Sequence, residues 1–136
     1  YSIKVPAVVS IFQSQELEVK FSFGDDWHGY ANTKENIALG WEPTKVEFEL
    51  PEGFELVGTL QLPKTQPKAA AEIYTGNDIV FKQQFRFNPK FTSGYKTPDN
   101  QEFNIGVVLH YQVCNEERCL PPADEKIVMK VNVIRD

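Results

Sequence analysis

The sequence predicts an all-β fold, an antiparallel β-sandwich of immunoglobulin type with about seven strands or more. The first observation is the alternation of apolar and polar residues, which gives a strand one buried face. It is clearest in two segments, formed by Leu17, Val19, Phe21 and Phe23 and by Val46, Phe48 and Leu50. The second observation is the turn signals between apolar segments, and the third is that no segment has a convincing long helical pattern. A β-barrel shares many of these cues, but the enrichment in β-branched and aromatic residues favours two packed sheets.

Seven segments are expected to form the strands. In chain order they are residues 5–12, 17–23, 46–50, 54–60, 78–87, 103–113 and 125–134. Pro-Glu-Gly at 51–53 separates the third from the fourth, and Thr-Gly-Asn-Asp at 75–78 leads into the fifth, because these residue types favour turns. Asp25 and Asp26 follow a strand and are also expected in a turn. Residues 63–71, with two prolines and three consecutive alanines, are predicted to be a loop.

Length and composition indicate one globular domain over residues 1–136. The chain has 41% apolar and 24% charged residues, an ordinary balance for a soluble domain that can bury a core without a disulfide. No apolar run approaches the roughly 18 residues of a membrane span. The net charge is −5 and the lysines are scattered, so nucleic acid is not an expected partner. Because the chain opens at Tyr1 rather than Met, we expect a mature form or a domain excised from a longer protein.

Both cysteines lie in one short loop, Cys114 and Cys119, with four residues between them. This spacing suits the tip of a β-hairpin, where residues that face each other have Cα atoms about 4.5–5.5 Å apart, within disulfide reach. A bond there restricts the unfolded chain little and contributes only about 2 kcal/mol to stability. An exposed loop can also be reached by another protein's cysteine, as thiol–disulfide exchange requires. The spacing therefore leaves open a structural hairpin disulfide and a redox-active pair.

The residues near the cysteines do not decide between these interpretations. Arg118 would favour a thiolate, whereas Glu116 and Glu117 would disfavour one. His28 could help to deprotonate a cysteine, because imidazole titrates near neutral pH, but a structural histidine is the more common case. For His110, too, a structural role is the more common case.

No metal or cofactor is expected. Two cysteines supply half of a tetrahedral ligand set, and the two histidines, His28 and His110, have no ligand spacing. The sequence also lacks a Gly-rich phosphate loop and a GxSxG motif, so nothing favours a nucleotide enzyme or a hydrolase. If the protein is an enzyme, its chemistry is thiol chemistry.

Four segments carry a resemblance to a known family: GDDWHGYA, PTKVEFELPEGFELVG, EIYTGNDIVFKQQF and YQVCNEERCLPP. In this order they resemble the N-terminal periplasmic domain of the thiol:disulfide interchange protein DsbD family, the disulfide bond corrector domain, over roughly residues 16–134. The most specific element is the aromatic-Gln-x-Cys segment that ends in Cys-x-Pro-Pro. The resemblance implies an immunoglobulin-like fold, in agreement with the strand pattern.

The resemblance also implies a function, that of an electron courier of the protein-disulfide reductase type. Such a domain is reduced by a thioredoxin-like domain of the same membrane protein and then reduces periplasmic thioredoxin-fold partners, in a system connected with cytochrome c biogenesis. Cys119 would form the mixed disulfides and Cys114 would resolve them. Tyr30 and His28 match positions that lie near the pair in the family. The domain would be periplasmic and tethered to the membrane through its parent protein.

Two departures from the family pattern bear on the site. Better-known members have five residues between the cysteines, whereas this chain has four. Their cap loop carries an acidic residue and an aromatic tip, whereas the segment 64–72 has three alanines here. Either Ile73 and Tyr74 cover the pair instead, or the pair is more exposed. The alternative function is a non-catalytic extracytoplasmic binding or adhesion module with a structural hairpin disulfide.

Overall fold

The computed structural model describes residues 1–95 and 97–135, and this part of the chain is almost entirely β-structure. It contains eleven strands, one short α-helix and one 3₁₀ turn, Pro89–Phe91. The strands and helix are β1 Ser2–Lys4, β2 Val8–Ser10, β3 Gln15–Phe21, β4 His28–Tyr30, α1 Lys34–Ala38, β5 Lys45–Glu49, β6 Phe54–Gln61, β7 Gln66–Lys68, β8 Ala71–Thr75, β9 Ile79–Phe87, β10 Gln101–Tyr111 and β11 Ala123–Ile134. Neither helical segment in these two ranges has the length and apolar character needed to cross a bilayer.

Two four-stranded sheets form the sandwich. The first has the order β1-β3-β9-β6 and is antiparallel throughout, and the second has the order β2-β11-β10-β5, with β2 parallel to β11. Alternate residues of β3 and β9 point inward and meet the inward residues of β10 and β11. The all-β sandwich predicted from the alternation is therefore confirmed.

The core follows the predicted alternation closely. Leu17, Val19 and Phe21 are all buried, and β9 alternates between buried and half-buried residues over its whole length. The interior divides into two apolar clusters, and Phe48 packs against both of them. Gly53 ends the turn before β6 at a φ of 99°, where a Cβ atom would lie 2.4 Å from the Phe87 ring. A left-handed backbone and this close approach both require glycine there.

The predicted strands are present with shifted ends. The first, expected over residues 5–12, is reduced to β2, and the chain forms the separate β1 before Pro6. The turn expected at Asp25 and Asp26 is observed, closed by a hydrogen bond of 3.0 Å from the Trp27 N–H to the Gly24 carbonyl. The turn after Pro51 is also observed, since its carbonyl accepts from the Phe54 N–H at 3.2 Å.

A third, three-stranded sheet of order β4-β8-β7 was not expected. Residues 63–71 were predicted to be a loop, which is wrong for β7, Gln66–Lys68, because these residues pair with β8 in a hairpin. Pro67 is compatible with a strand here because β7 is the edge of its sheet and its missing N–H need not meet a partner. On the inner face of this sheet, Tyr74 packs in the main core. The other face of the sheet carries the candidate site.

Candidate functional site

The loop with both cysteines is the tip of the long β10–β11 hairpin. Cys114 and Cys119 face each other as an antiparallel bridge with a Cα–Cα distance of 4.0 Å, and their sulfurs form a disulfide. The Asn115 N–H donates to the Arg118 carbonyl at 2.8 Å inside this pair, and the Leu120 N–H donates to the Val113 carbonyl at 2.9 Å outside it. The hairpin tip predicted from the four-residue spacing is therefore what the structure shows.

The turn itself is built by Asn115. Its side-chain oxygen accepts hydrogen bonds from the backbone N–H groups of Glu117 and Arg118, at 2.9 and 2.8 Å. This is an Asx-type turn, in which a short polar side chain takes the place of a backbone carbonyl. The four residues between the cysteines are thus held by backbone and side-chain hydrogen bonds, even though most of them are exposed.

The two cysteines differ sharply in exposure. Cys114 is 1% exposed, whereas Cys119 is an exposed residue. Attack on a disulfide requires access to one of its sulfurs along the axis of the bond. The arrangement leaves Cys119 exposed and encloses Cys114.

The buried cysteine is held by β4. His28 and Cys114 exchange both of their backbone hydrogen bonds, N–H to carbonyl, each at 2.9 Å. Cys114 therefore continues the third sheet beyond β4, with Cys119 on its other side. Because residues that pair across antiparallel strands point to the same face, the side chains of His28, Cys114 and Cys119 share one face.

A small cluster of side chains surrounds Cys114 on that face. Tyr30, Ala71 and Ile73 are buried against it, and Trp41 packs on the outside. The Tyr30 and Trp41 rings are stacked with centroids 4.6 Å apart. The Tyr30 hydroxyl lies 3.1 Å from His28 Nε2, so the two side chains hydrogen-bond to each other. Both residues expected beside the pair, Tyr30 and His28, are brought to it.

Burial and nearby charges affect how these groups titrate. The pKa of His28 is lowered, first by desolvation on burial and then by the charge of Lys68, with Glu116 acting in the opposite direction. A neutral imidazole is therefore favoured near neutral pH. Burial also raises the pKa of Tyr30, so its hydroxyl stays protonated. The Lys68 ammonium that hydrogen-bonds Glu116 lowers the pKa of that carboxyl.

The β7–β8 hairpin covers the cysteine loop from one side. Ala71 and Ile73 from β8 pack on Cys114, and Lys68 at the end of β7 forms an ion pair with Glu116 of the loop. The segment where the family carries its cap loop thus contacts the cysteine loop, through a lysine and small apolar residues. Tyr74 does not take part, since it alternates to the opposite face and packs edge-on against Phe81 in the main core.

The remaining candidates lie further out. Arg118 is exposed, and its backbone carbonyl closes the turn. His110 lies within the β10–β11 ladder, where its Nδ1 is 2.6 Å from an Asp124 carboxylate oxygen. Sequence reasoning missed Trp41 and Lys68, which reach the site from an unpredicted turn and an unpredicted strand. Across residues 1–95 and 97–135, no group of three or more His, Cys, Asp or Glu side chains is placed to hold a metal ion.

Comparison with known families decides the relationship. A family model described as "Thiol:disulfide interchange protein DsbD, N-terminal" matches residues 4–130, nearly the whole chain. The chain belongs to this family. Comparison with individually curated proteins gives no match.

Membership in the DsbD N-terminal family gives the disulfide a chemical context. The matched range includes Cys114, Cys119 and every residue of the cluster around them. The family implies a role in thiol–disulfide exchange, and the hairpin disulfide is the group in this chain that can perform it. A disulfide with one exposed and one buried cysteine is compatible with exchange through a mixed disulfide.

Proposed function

We propose that this chain is a periplasmic thiol–disulfide exchange domain that carries electrons from a thioredoxin-like domain to periplasmic thioredoxin-fold proteins. The Cys114–Cys119 pair is the carrier, and the activity is of the protein-disulfide reductase type. The observation that supports this most directly is the difference in exposure between the two cysteines, because exchange needs one sulfur that partners can reach and a second that only the first can reach.

Reduction of the domain would proceed in two exchange steps. A thiolate of the reduced donor attacks Cys119 Sγ, so a donor–Cys119 bond forms, the Cys114–Cys119 bond breaks, and Cys114 leaves as a thiolate that takes up a proton. The donor's second thiolate then attacks the donor sulfur of the mixed disulfide and releases Cys119. The donor ends as a disulfide and the domain as a dithiol, with two electrons transferred.

Reduction of a target repeats these steps in the opposite sense. The Cys119 thiolate attacks the disulfide of an oxidised thioredoxin-fold protein and forms a mixed disulfide. Cys114 then attacks Cys119 Sγ, which restores the disulfide of the domain and releases the reduced target. The buried position of Cys114 suits this resolving role, because its one accessible electrophile is the neighbouring sulfur of Cys119.

The surrounding residues would act through the cysteines. Protonated Tyr30 packs in the cluster around Cys114, and neutral His28, which hydrogen-bonds Tyr30, pairs with Cys114 through its backbone, so both can hold the position of the leaving thiol. Arg118, next to Cys119 in the chain, would favour the attacking thiolate. Tyr74 has no part in the proposed site because it packs in the main core.

Family membership supports two further parts of the proposal, the location of the domain and the kind of parent protein. Domains of this family are periplasmic in general, a compartment in which disulfides persist. We expect this domain to be joined to a membrane-embedded reductase with a thioredoxin-like domain. The connection with cytochrome c biogenesis stays a prediction.

The roles of the two cysteines can be separated with the matched variants Cys114→Ser and Cys119→Ser. Each reduced variant is mixed with a thioredoxin that keeps a single active-site cysteine, activated with thionitrobenzoate. We expect Cys114→Ser, which keeps the exposed Cys119, to form the covalent heterodimer. It should release thionitrobenzoate about tenfold faster than Cys119→Ser, because exchange requires an accessible thiolate. Mass spectrometry of the adduct identifies the linked cysteine.

Equal rates for the two folded variants would contradict the assigned roles.

The reduction potential of the wild-type pair tests the function itself. It is measured in graded thiol buffers, with the free thiols counted after alkylation. Exchange proteins lie at or above about −270 mV, whereas structural disulfides lie below about −300 mV. A value well below that limit would support the binding or adhesion module and overturn the proposed courier.

A further inference from the structure

The four-residue loop between the cysteines is organised by one residue. Asn115 Oδ1 accepts from the backbone N–H groups of Glu117 and Arg118, at 2.9 and 2.8 Å, and the Asn115 N–H donates to the Arg118 carbonyl at 2.8 Å. Asn115 is half-buried, whereas the three residues after it are exposed. Three hydrogen bonds of the loop therefore depend on Asn115, and two of them depend on its side chain.

The two cysteines are anchored to different degrees. Cys114 is buried, and its backbone N–H and carbonyl are both bonded to His28, at 2.9 Å each. Cys119 is exposed, and the residue before it, Arg118, is bonded to Asn115 through both its N–H and its carbonyl. The position of Cys119 relative to Cys114 therefore depends in part on the turn that Asn115 builds.

A second set of bonds closes the hairpin on the other side of the pair. The Leu120 N–H donates to the Val113 carbonyl at 2.9 Å, and the Gln112 side-chain amide donates to the Leu120 carbonyl at 3.0 Å. None of these bonds involves Asn115. A change of the Asn115 side chain should therefore leave the two strands paired and loosen only the loop between the cysteines.

The contribution of the turn differs between the two redox states. In the oxidised domain the covalent bond closes the loop, and the turn is formed with it. In the dithiol only non-covalent contacts keep the two sulfurs close, so the loop can open and water can bond to its N–H groups. The turn and the disulfide thus stabilise each other, and linkage requires that each favours the other by the same factor.

We propose that Asn115 is a positioning residue that sets the reduction potential of the Cys114–Cys119 pair. It keeps the Cys119 thiol near Cys114 in the dithiol, which favours re-formation of the disulfide and lowers the potential. A lower potential makes the reduced pair a stronger electron donor. For its role in electron transfer this inference rests on the proposed function, and it adds a residue that controls how readily the pair gives up electrons.

The test is the redox equilibrium of each variant with glutathione. The two thiols of the domain become the disulfide, and oxidised glutathione takes up their two electrons and two protons to give two molecules of reduced glutathione. One hydrogen bond typically changes an equilibrium constant about twofold to tenfold. We expect Asn115→Ala, which removes two, to lower the equilibrium constant for disulfide formation about fivefold to tenfold, a rise in potential of about 20–30 mV. Thiols are counted by mass after alkylation.

Two control variants separate the hydrogen bonds from the effect of charge. Asn115→Asp keeps an acceptor oxygen in the same position and adds a negative charge. Glu117→Ala removes a negative charge from the same loop and keeps the backbone N–H that bonds to Asn115. Both should have equilibrium constants within about twofold of wild type, because exposed charges interact weakly.

The equilibrium constant also distinguishes positioning from a purely structural role. A structural residue would destabilise the oxidised and the reduced domain equally, which leaves this constant unchanged, and urea unfolding of each oxidised variant verifies that it is folded. A wild-type constant in Asn115→Ala would overturn the inference and leave the proposed function standing. An equal shift in Asn115→Asp would also overturn it, because the acceptor oxygen would then have no role. A wild-type potential in the range of structural disulfides would instead contradict the proposed function, whether or not Asn115→Ala shifts it.

Discussion

At the scale of single residues, the two cysteines acquire different properties from their neighbours. Cys114 is enclosed by Tyr30, Ala71 and Ile73 and is bonded through its backbone to His28. Cys119, one residue before a Leu-Pro-Pro segment, has an exposed position on the outer strand of the tip. The sequence places both in one loop, but the difference in burial comes from β4 and β8, which are distant in the chain.

His28 should make stability depend on pH in a defined direction. Because its pKa is lowered in the folded state, the unfolded chain binds more protons below the ordinary histidine pKa of about 6.5, so stability falls as pH falls through that value. We expect His28→Gln to show a smaller loss than wild type between about pH 7.5 and about pH 5. Urea unfolding at several pH values measures this.

Tyr30→Phe is the control for this pH dependence. It removes the same His28–Tyr30 hydrogen bond and should lower the free energy of unfolding by about 1–2 kcal/mol. Because it keeps the imidazole, the free energy of unfolding should change with pH as steeply as in wild type. A slope in His28→Gln equal to that of wild type would show that His28 does not titrate with folding.

At the scale of elements, the predictability of the fold depends on element length. β3, β9 and β10 have 7, 9 and 11 residues and show clear alternation, so their existence could be predicted. β4 and β7 have three residues each, one with a central glycine and one with a central proline, and α1 has five, too few for a periodic pattern. These short elements build the site, which is why Trp41 and Lys68 could not be assigned to it from sequence. The position of the cysteines at a hairpin tip could be predicted, because their four-residue spacing is a local signal.

Asn36 should be the residue that holds α1 in place. Asn36→Ala removes three side-chain hydrogen bonds and leaves the backbone groups of Ala31 and Glu72 with fewer partners, so we expect a loss of about 2–4 kcal/mol in the free energy of unfolding. Urea unfolding gives the total, and hydrogen exchange of the Glu72 amide reports the local effect.

The N-cap variant Thr33→Ala provides the comparison. Thr33 Oγ1 accepts one hydrogen bond from the Asn36 N–H at 3.0 Å, and its loss should cost about 1 kcal/mol. If Asn36→Ala is no more destabilising than Thr33→Ala, then α1 is not fastened to β8 by the Asn36 side chain.

At the scale of the whole molecule, the core and the disulfide are separate. The two large apolar clusters lie between the four-stranded sheets, whereas Cys114 belongs to a third, small cluster on the outer face of the third sheet. Phe85 is fully buried in the core, so it represents the contribution of core packing to the free energy of unfolding. The proposed exchange function requires a domain that stays folded in both redox states, and this separation is compatible with that requirement.

Reduction of the disulfide should therefore leave the domain folded. The pair spans a sequence separation of only 5, and its loss should lower the free energy of unfolding by about 2 kcal/mol. Phe85→Ala in the oxidised protein should cost more, about 3–5 kcal/mol, because it creates a cavity in the core. Urea unfolding with and without reductant, with thiols counted, compares the two. Unfolding on reduction alone would show that the disulfide is required for the fold.

The paired backbone hydrogen bonds between His28 and Cys114 bear on the direction of electron transfer in the proposed exchange reaction. Because they do not involve sulfur, they can persist when the disulfide opens, so the scaffold around the pair can stay the same before and after the transfer. In the proposed function, a domain with the same backbone in both redox states would give a partner protein little structural basis for distinguishing its reduced form from its oxidised form. If the proposed function holds, we therefore expect the net direction of electron transfer to be set by the relative reduction potentials and concentrations of the partner proteins.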